Sequence, residues 1–342
     1  MAKLTIGIPT YNRADMLAVA LDSVLSQSFA DFEVLVLDNA SEEGTEAVGQ
    51  RYAAMDARVR YVRNQRNLGM TRNWMRIVDL SRTDYIKFLM DDDVLLPGCL
   101  EAFHQAALEH SDVDLFACHD IQYQVQVPRQ EVPVLHTYAP QRVVPGKVML
   151  NFMNQWGNQI GCPTNFMFRK EALKAVYDIW DTEDRMWAPD LHASALVLSG
   201  GNFYCINRAL VGVHIHPQQI SNRLADSTMF QEDARVLDEI ARLAGGTKQH
   251  MAFSAMQIAR LAITKALVYA SGGRFKLAGN VFRIWWGANE KIWALRMMFS
   301  YLLARIRRKV EAKLLPLSAA GPKLRFRNAS MRRFWLEAGL LD

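Results

Sequence analysis

The sequence predicts an α/β fold: a Rossmann-like, mixed and mostly parallel sheet with helices on both faces, followed by a helical basic extension. Two observations carry this. Short β-branched segments alternate with amphipathic helical ones over the first 120 residues, which is the rhythm of parallel βαβ units. After the Gly245-Gly246 pair that rhythm gives way to helical, basic sequence. Half of the 342 residues are hydrophobic and 22% are charged, an ordinary globular balance for about two structural units.

The elements follow in order. LTIGI (residues 4–8) is rich in β-branched residues and ends at Pro9. Leu17, Ala20, Leu21, Val24 and Leu25 share one face of a helix over 14–26. FEVLVLD (32–38), RVRYV (58–62) and YIKFLM (85–90) are the next strands. Between them lie a weaker helix over 41–55 and a helix over 70–80. GCLEAFHQAALEH (98–110) is helical and VDLFACH (113–119) is a strand. The rhythm then breaks. Residues 122–146 alternate and contain four prolines, so they read as edge strands or an excursion. Helices are expected near 147–156 and 171–177, with a strand at PTNFMFRK (163–170) between them. PDLHASALVLSGG (189–201) is a helix opened by Pro189 and closed by Gly200 and Gly201. NFYCINRALVGVHIHP (202–217) alternates as a strand.

Composition excludes several classes. The four cysteines form no C-x-x-C pair, so neither a zinc knuckle nor a redox motif is signalled, and a reducing cytoplasm fits. MAKLTIGIPTYNR lacks the apolar run of a signal peptide. No stretch approaches the ~18 apolar residues of a membrane span. The net charge of +5 conceals an asymmetry: residues 265–333 carry +14 and the remainder −9.

Open α/β sheets bind ligands beyond the carboxyl ends of their strands. Four polar clusters fall there: PTYNR (9–13), DNAS (38–41), RNQRNLG (63–69) and DDD (91–93). Singly, each has an ordinary explanation. Asp38 suits a turn, Asn39 and Ser41 suit a helix cap, and NLG suits a plain turn. The aspartates could form a solvated turn. Three adjacent carboxylates repel one another, however, and a hard divalent cation bound with substrate phosphates would offset that.

With these residues together, the chain resembles the family 2 glycosyltransferases of the GT-A fold. The resemblance covers about residues 4–221. It rests on IGIPTYNR, LVLDNAS, NLG, FLMDDDVLLPG, APDLHASALVLSGG and VGVHIHP, in the family's order. It implies a catalytic domain over 1–244, with a nucleotide-sugar half to about 120 and an acceptor half beyond, and a separate helical region over 245–342. It assigns donor binding to Pro9, Thr10, Tyr11, Asn12, Arg13, Asp38, Asn39, Asn67, Gly69, Asn73 and Asp91, with Asp38 accepting from a pyrimidine base. It assigns a Mn2+ or Mg2+ ion to Asp92, Asp93 and His216.

The register of the D-x-D motif stays open. Spacing alone pairs Asp91 with Asp93, whereas counting back from Pro97 makes Asp92 the main ligand. Asp190 matches the family's catalytic base, with Asp181, Glu183 and Asp184 as rivals. Read without the resemblance, Asp190 is a helix-start carboxylate facing the macrodipole. His214 stands where relatives carry an arginine, and Asn165 is an acceptor-side candidate.

The implied activity is metal-dependent, inverting transfer of a sugar from a nucleotide-diphosphate donor, UDP preferred, to a hydroxyl of a saccharide or lipid-linked saccharide. That suits bacterial polysaccharide or glycolipid assembly. One alternative is a sugar-phosphate nucleotidyltransferase, but the glycine-rich GxGTR start is missing. Another is a membrane-binding module with a degenerate site, which an intact Asp38, aspartate triplet and Asp190 argue against.

In the tail, Ile292, Leu295, Phe299, Leu302, Leu303, Ile306 and Val310 form a helical stripe. Arg305, Arg307, Arg308 and Lys309 flank it, and Trp285, Trp286 and Trp293 add interfacial aromatics. An anionic membrane surface and packing on the catalytic domain are equal expectations. No nucleic-acid fold accompanies the charge, so nucleic acid is not expected. The expected location is cytoplasmic, with peripheral binding at the inner face of the cell membrane as the membrane case.

Overall fold

The computed structural model describes residues 4–42, 44–123, 132–134, 142–158, 160–180, 189–216, 219, 227–271, 279–281 and 333–340. The chain divides into two compact units. One comprises Met1–Met149 and Asn158–Arg223, the other Leu150–Gly157 and Leu224–Asp342.

The first unit is built on a ten-stranded sheet. Strands β1 (Leu4–Thr10), β2 (Phe32–Asp38), β3 (Val59–Arg63) and β4 (Tyr85–Phe88) alternate with helices α1 (Ala14–Leu25), α2 (Thr45–Met55) and α3 (Met70–Leu80). They lie parallel in the order β3-β2-β1-β4. Every residue of β1 is buried, as a central strand covered on both faces requires. Helices cover both faces. On neighbouring residues of β4, Lys87 lies against Phe103 of α4 (Cys99–Glu109), whereas Phe88 stacks on Trp74 of α3. Gly7 lets α3 close on β1, since a β-carbon there would come within 2.5 Å of Ile77.

The sheet continues with β9 (Phe166–Arg169), antiparallel to both β4 and β6 (Leu115–Tyr123). β10 (Asn202–His214) runs parallel to β6. A two-residue strand, β5 (Val94–Leu95), pairs antiparallel with β10. The proline-rich excursion supplies edge strands, β7 (Val132–Val134) on β6 and β8 (Val144–Pro145) on β10. Helices α5 (Gly146–Trp156), α6 (Lys170–Lys174), α7 (Tyr177–Trp180) and α8 (Pro189–Gly200) complete the described part, α5 straddling the division between the units.

Two local expectations differ from the fold. PTNFMFRK is not strand throughout: Pro163–Asn165 forms a 3-10 turn and β9 begins at Phe166. Pro163 has no amide to donate to a ladder. The apolar YIKFLM leaves the sheet after Phe88, and the chain turns through Asp91–Asp93 before β5.

In the second unit, α9 (Ser227–Ala244) and α10 (Lys248–Ser271) pack together. Lys265 pairs with Asp233 at 2.7 Å, and the Ser254 hydroxyl donates to Asp238 at 2.5 Å. Gly245 and Gly246 end α9, their amides donating to the carbonyls of Arg242 and Ala241. The glycine pair therefore closes a helix within the Leu224–Asp342 stretch of this unit. Trp335 is fully buried against Phe152, 4.5 Å between ring centroids. No helix among the described residues is long and apolar enough to cross a membrane. The tail stripe, its flanking basic residues and tryptophans, and Asp181, Glu183 and Asp184 lie outside the described residues.

Candidate active site

The four polar clusters do meet on one rim. In the parallel register Thr10 lies beside Asp38, and Asp38 beside Arg63. The first two loops are pinned together. The Asn12 amide donates to the Ser41 hydroxyl oxygen at 2.9 Å, the Glu42 amide to Asn12 Oδ1 at 2.8 Å, and the Asn39 amide to the Thr10 carbonyl at 2.9 Å. Asn12 (φ 55°) and Ala40 (φ 65°) are the non-glycine residues with left-handed backbone among those described, and both stand on this rim. Such strain persists where surrounding contacts impose it.

Asp38 is fully buried and anchors its loop. Its Oδ1 accepts from the Ser41 amide at 2.8 Å and the Ser41 hydroxyl at 2.6 Å. Its Oδ2 accepts from the Tyr61 hydroxyl at 2.5 Å. Burial and then this carboxylate push the Tyr61 hydroxyl pKa up, so it remains a donor. Beside Asp38 lies an asparagine network. Asn39 Nδ2 donates to Asn67 Oδ1 and the Gly69 carbonyl, while Asn39 Oδ1 accepts from the Leu68 amide and Asn64 Nδ2. Asn64 Nδ2 also reaches Asn73 Oδ1 at 2.8 Å, and Asn73 Nδ2 donates to the Leu37 carbonyl. The network fixes the path into α3, where Gly69 takes φ 80°. Tyr11 is left 43% exposed on the rim.

The aspartate triplet divides its partners. Arg13 Nη1 donates to Asp91 Oδ1 at 2.8 Å and to Asp92 Oδ2 at 2.6 Å. The same Asp92 oxygen lies 3.0 Å from His216 Nε2. Asp93 points inward, its Oδ2 accepting from the Thr164 hydroxyl at 2.5 Å and its Oδ1 from the His214 amide at 3.1 Å. Burial pushes the Asp91 pKa up to about 6, against the pull of Arg13 and with a further push from Asp92. Burial, then Asp92, also raises Asp93. The His214 ring lies 4.8 Å from that of His216, and its pKa is lowered by burial and then by that neighbour.

Mn2+ and Mg2+ favour oxygen donors such as a carboxylate, and an imidazole is the less typical partner for them. Asp92 and His216 provide that pair. Among the described residues, no group of three or more His, Cys, Asp or Glu side chains is arranged to hold an ion. Asp93, expected in the metal set, is instead committed to Thr164 and the His214 amide because it is buried beneath the turn. The residues thus offer an ion at most the Asp92 carboxylate and the His216 ring, which here hydrogen-bond to each other.

Asp190 lies half-buried in the first turn of α8. Its charge is felt at Cys162 together with those of Asp93 and Asp120, although burial contributes most to the raised Cys162 pKa. Asn165 is fully buried and committed inward, with Nδ2 donating to the Cys118 carbonyl at 2.9 Å and to Asp120 Oδ1 at 3.3 Å. The sequence reading missed Asn64, Tyr61, Thr164 and Asp120. Asn64 alone had a signal, its place within RNQRNLG.

The sequence profile of glycosyl transferase family 2 matches residues 5–177, half of the chain. The chain belongs to this family. Over 110 residues it is 36% identical to the GalNAc(5)-diNAcBac-PP-undecaprenol beta-1,3-glucosyltransferase of Campylobacter jejuni, covering 32% of this chain and 36% of that one. Over 118 residues it is 36% identical to the abequosyltransferase RfbV of Salmonella typhimurium, covering 34% and 35%. The chain thus spans about a third of the length of these relatives. The structure of S. aureus TarS 1–349 with UDP-GlcNAc superposes with a TM-score of 0.54 at 15% identity, covering 82% of this chain and 90% of that one. The fold is GT-A, as the sequence resemblance implied.

In this family 2 chain the second rim loop carries a removable strain. A left-handed alanine costs roughly 1 kcal/mol that glycine avoids. Ala40→Gly is expected to stabilise the protein by about that amount, read as a higher urea midpoint at unchanged m-value.

Proposed function

We propose that this protein is an inverting glycosyltransferase that moves a sugar from a nucleotide-diphosphate donor, UDP preferred, to a hydroxyl acceptor. The observation that carries the reading is the convergence of Asp92 and His216 beside Arg13, on a rim where four strand ends meet. The nucleoside would lie along the first three loops. Tyr11 offers an exposed ring for stacking, and Asp38, fully buried without ligand, would have to be uncovered to accept from the N–H of a pyrimidine. Asn39, Asn67, Gly69 and Asn73 keep that wall in shape, and the backbone from Pro9 to Asn12 borders it. Arg13 supplies a fixed positive charge for the diphosphate.

A divalent ion, Mn2+ or Mg2+, held by Asp92 and His216 with donor oxygens, would neutralise the diphosphate as it leaves. Asp190 takes the proton of the acceptor hydroxyl as that oxygen bonds to the anomeric carbon. The carbon–diphosphate bond breaks on the opposite face, and the configuration inverts. Asp190 stands in the first turn of α8, where the helix dipole complements a carboxylate. Asp181, Glu183 and Asp184 are its rivals.

The name of the Campylobacter relative includes an undecaprenol-linked acceptor. The acceptor proposed here is accordingly a saccharide or lipid-linked saccharide, in bacterial glycan assembly. The basic tail would bring the enzyme to an anionic membrane at the cytoplasmic face. Each basic residue near such a surface contributes about 1 kcal/mol, and salt screens it.

Three measurements test this reading. Isothermal titration of Asp92→Ala should show loss of Mn2+-dependent UDP binding with the fold retained; native affinity would remove Asp92 from the site. Asp190→Asn should lower turnover about a hundredfold while donor affinity stays near normal. Near-normal turnover would pass the base role to a rival. The full chain should co-sediment with anionic but not neutral vesicles at low ionic strength, and leave them as salt rises. Indifference to anionic vesicles would end the membrane proposal.

A further inference from the structure

Lys87 is fully buried in the middle of β4, between Ile6 of β1 and Met167 of β9. A buried ammonium is costly unless it is paired and hydrogen-bonded, and such lysines are rare. Strand geometry does not require an amine here, since methionine would fill the same space. The ammonium lies 4.4 Å from the centroid of the Phe103 ring, a cation–π contact. Its hydrogen bond, 2.6 Å long, goes to the main-chain carbonyl of Thr164.

Thr164 is the centre of the 3-10 turn Pro163–Asn165 and is also fully buried. Its hydroxyl donates to Asp93 Oδ2 at 2.5 Å and accepts from the Met90 amide at 3.1 Å. One threonine thus holds the backbone just before the aspartate triplet and the innermost member of that triplet. The other oxygen of Asp93 accepts from the His214 amide, two residues before His216. His216 in turn meets Asp92. A continuous path therefore runs from the Lys87 ammonium through Thr164 and Asp93 to both sides of the Asp92–His216 pair.

We propose that Lys87 is a positioning residue: by holding the Thr164 turn against the end of β4, it sets the placement of Asp93 and thereby of the Asp92–His216 pair. Lys87 itself touches no ligand. Its benefit to a nucleotide-sugar site rests on the function proposed above, whereas its hold on Thr164, Met90 and His214 does not. A carboxylate triplet on a chain reversal has many arrangements, and small displacements at such a site cost large factors in rate or affinity.

The test is Lys87→Met, with Thr164→Val as a second variant that keeps the carbonyl and removes the hydroxyl. Exchanging a buried charge for an apolar group of similar volume is often neutral or stabilising. A lysine that only fills space therefore predicts an unchanged or higher melting temperature and an unchanged site. The positioning role predicts that amide hydrogen exchange at Met90 and His214 quickens about tenfold or more in the ligand-free Lys87→Met protein, while exchange in β2 does not change. It also predicts a donor KM raised about tenfold, with kcat less affected. Thr164→Val should reproduce both effects, and the double variant should be little worse than either single one. Unchanged exchange at both amides in either variant overturns the inference. If the unmodified protein fails to bind UDP while exchange still quickens in the variants, the nucleotide-sugar reading fails and the positioning role stands.

Discussion

The arrangement of the rim depends on the mutual repulsion of three consecutive carboxylates at the end of a buried strand. Burial favours protonation here, and the like charges at this separation add to that preference. The fold meets the problem by giving each aspartate a different partner. Asp91 shares the Arg13 guanidinium, Asp92 bridges Arg13 and His216, and Asp93 turns down to Thr164 and a backbone amide. Those partners come from β1's loop, the segment after β10 and the turn before β9. Solving the charge problem therefore ties together elements far apart in sequence.

The other half of the rim is held by the Asp38 carboxylate and an asparagine network. Asp38 accepts from Ser41 and Tyr61, and the asparagines bond to one another and to nearby backbone groups, with Asn64 Oδ1 left without a partner among the described residues. A buried polar network of this kind specifies one geometry because an unmet partner is costly. It also explains why Asn12 and Ala40 can sit at positive φ. Their backbones are fastened on both sides, by Ser41 to Asn12 and by Asn39 to Thr10, so the strained conformation is imposed by the surroundings.

The parallel half of the sheet was legible because β1 to β4 and their helices follow plain periodicities, and the strand ends carried polar residues in register. Less was legible where pairing is non-local. Val94–Leu95 is too short to announce a strand, and it exists because β10 lies beside it. PTNFMFRK looked like one strand, but Pro163 and the demands on Thr164 make its start a turn. Gly245 and Gly246 announced the end of a helix, and a helix end inside a unit has the same local chemistry as one at a boundary. Lys87 had no signal at all, since a lysine in a strand ordinarily marks an edge or a solvent face.

The partners of the triplet tell its three aspartates apart, where the register of the motif stayed open in sequence. Sequence offered two alternatives, Asp91 with Asp93 or Asp92 with neighbours, and both assumed that ligands could be told apart by position in the run. Adjacent residues on a turn need not point the same way, so their partners separate them better than spacing does. Asp93 already has a donor on each oxygen and a buried position, which makes it a poor ligand for an ion arriving from solvent. Asp91 has its Oδ1 committed to Arg13, and burial raises its pKa. Asp92 alone shares its oxygen with an imidazole, a group that can exchange its hydrogen bond for a metal bond when neutral. The three carboxylates therefore divide by partner, Asp91 to Arg13, Asp92 between Arg13 and His216, and Asp93 to Thr164 and the His214 amide, and the crowding that made the run look redundant is what lets one turn fasten several elements at once.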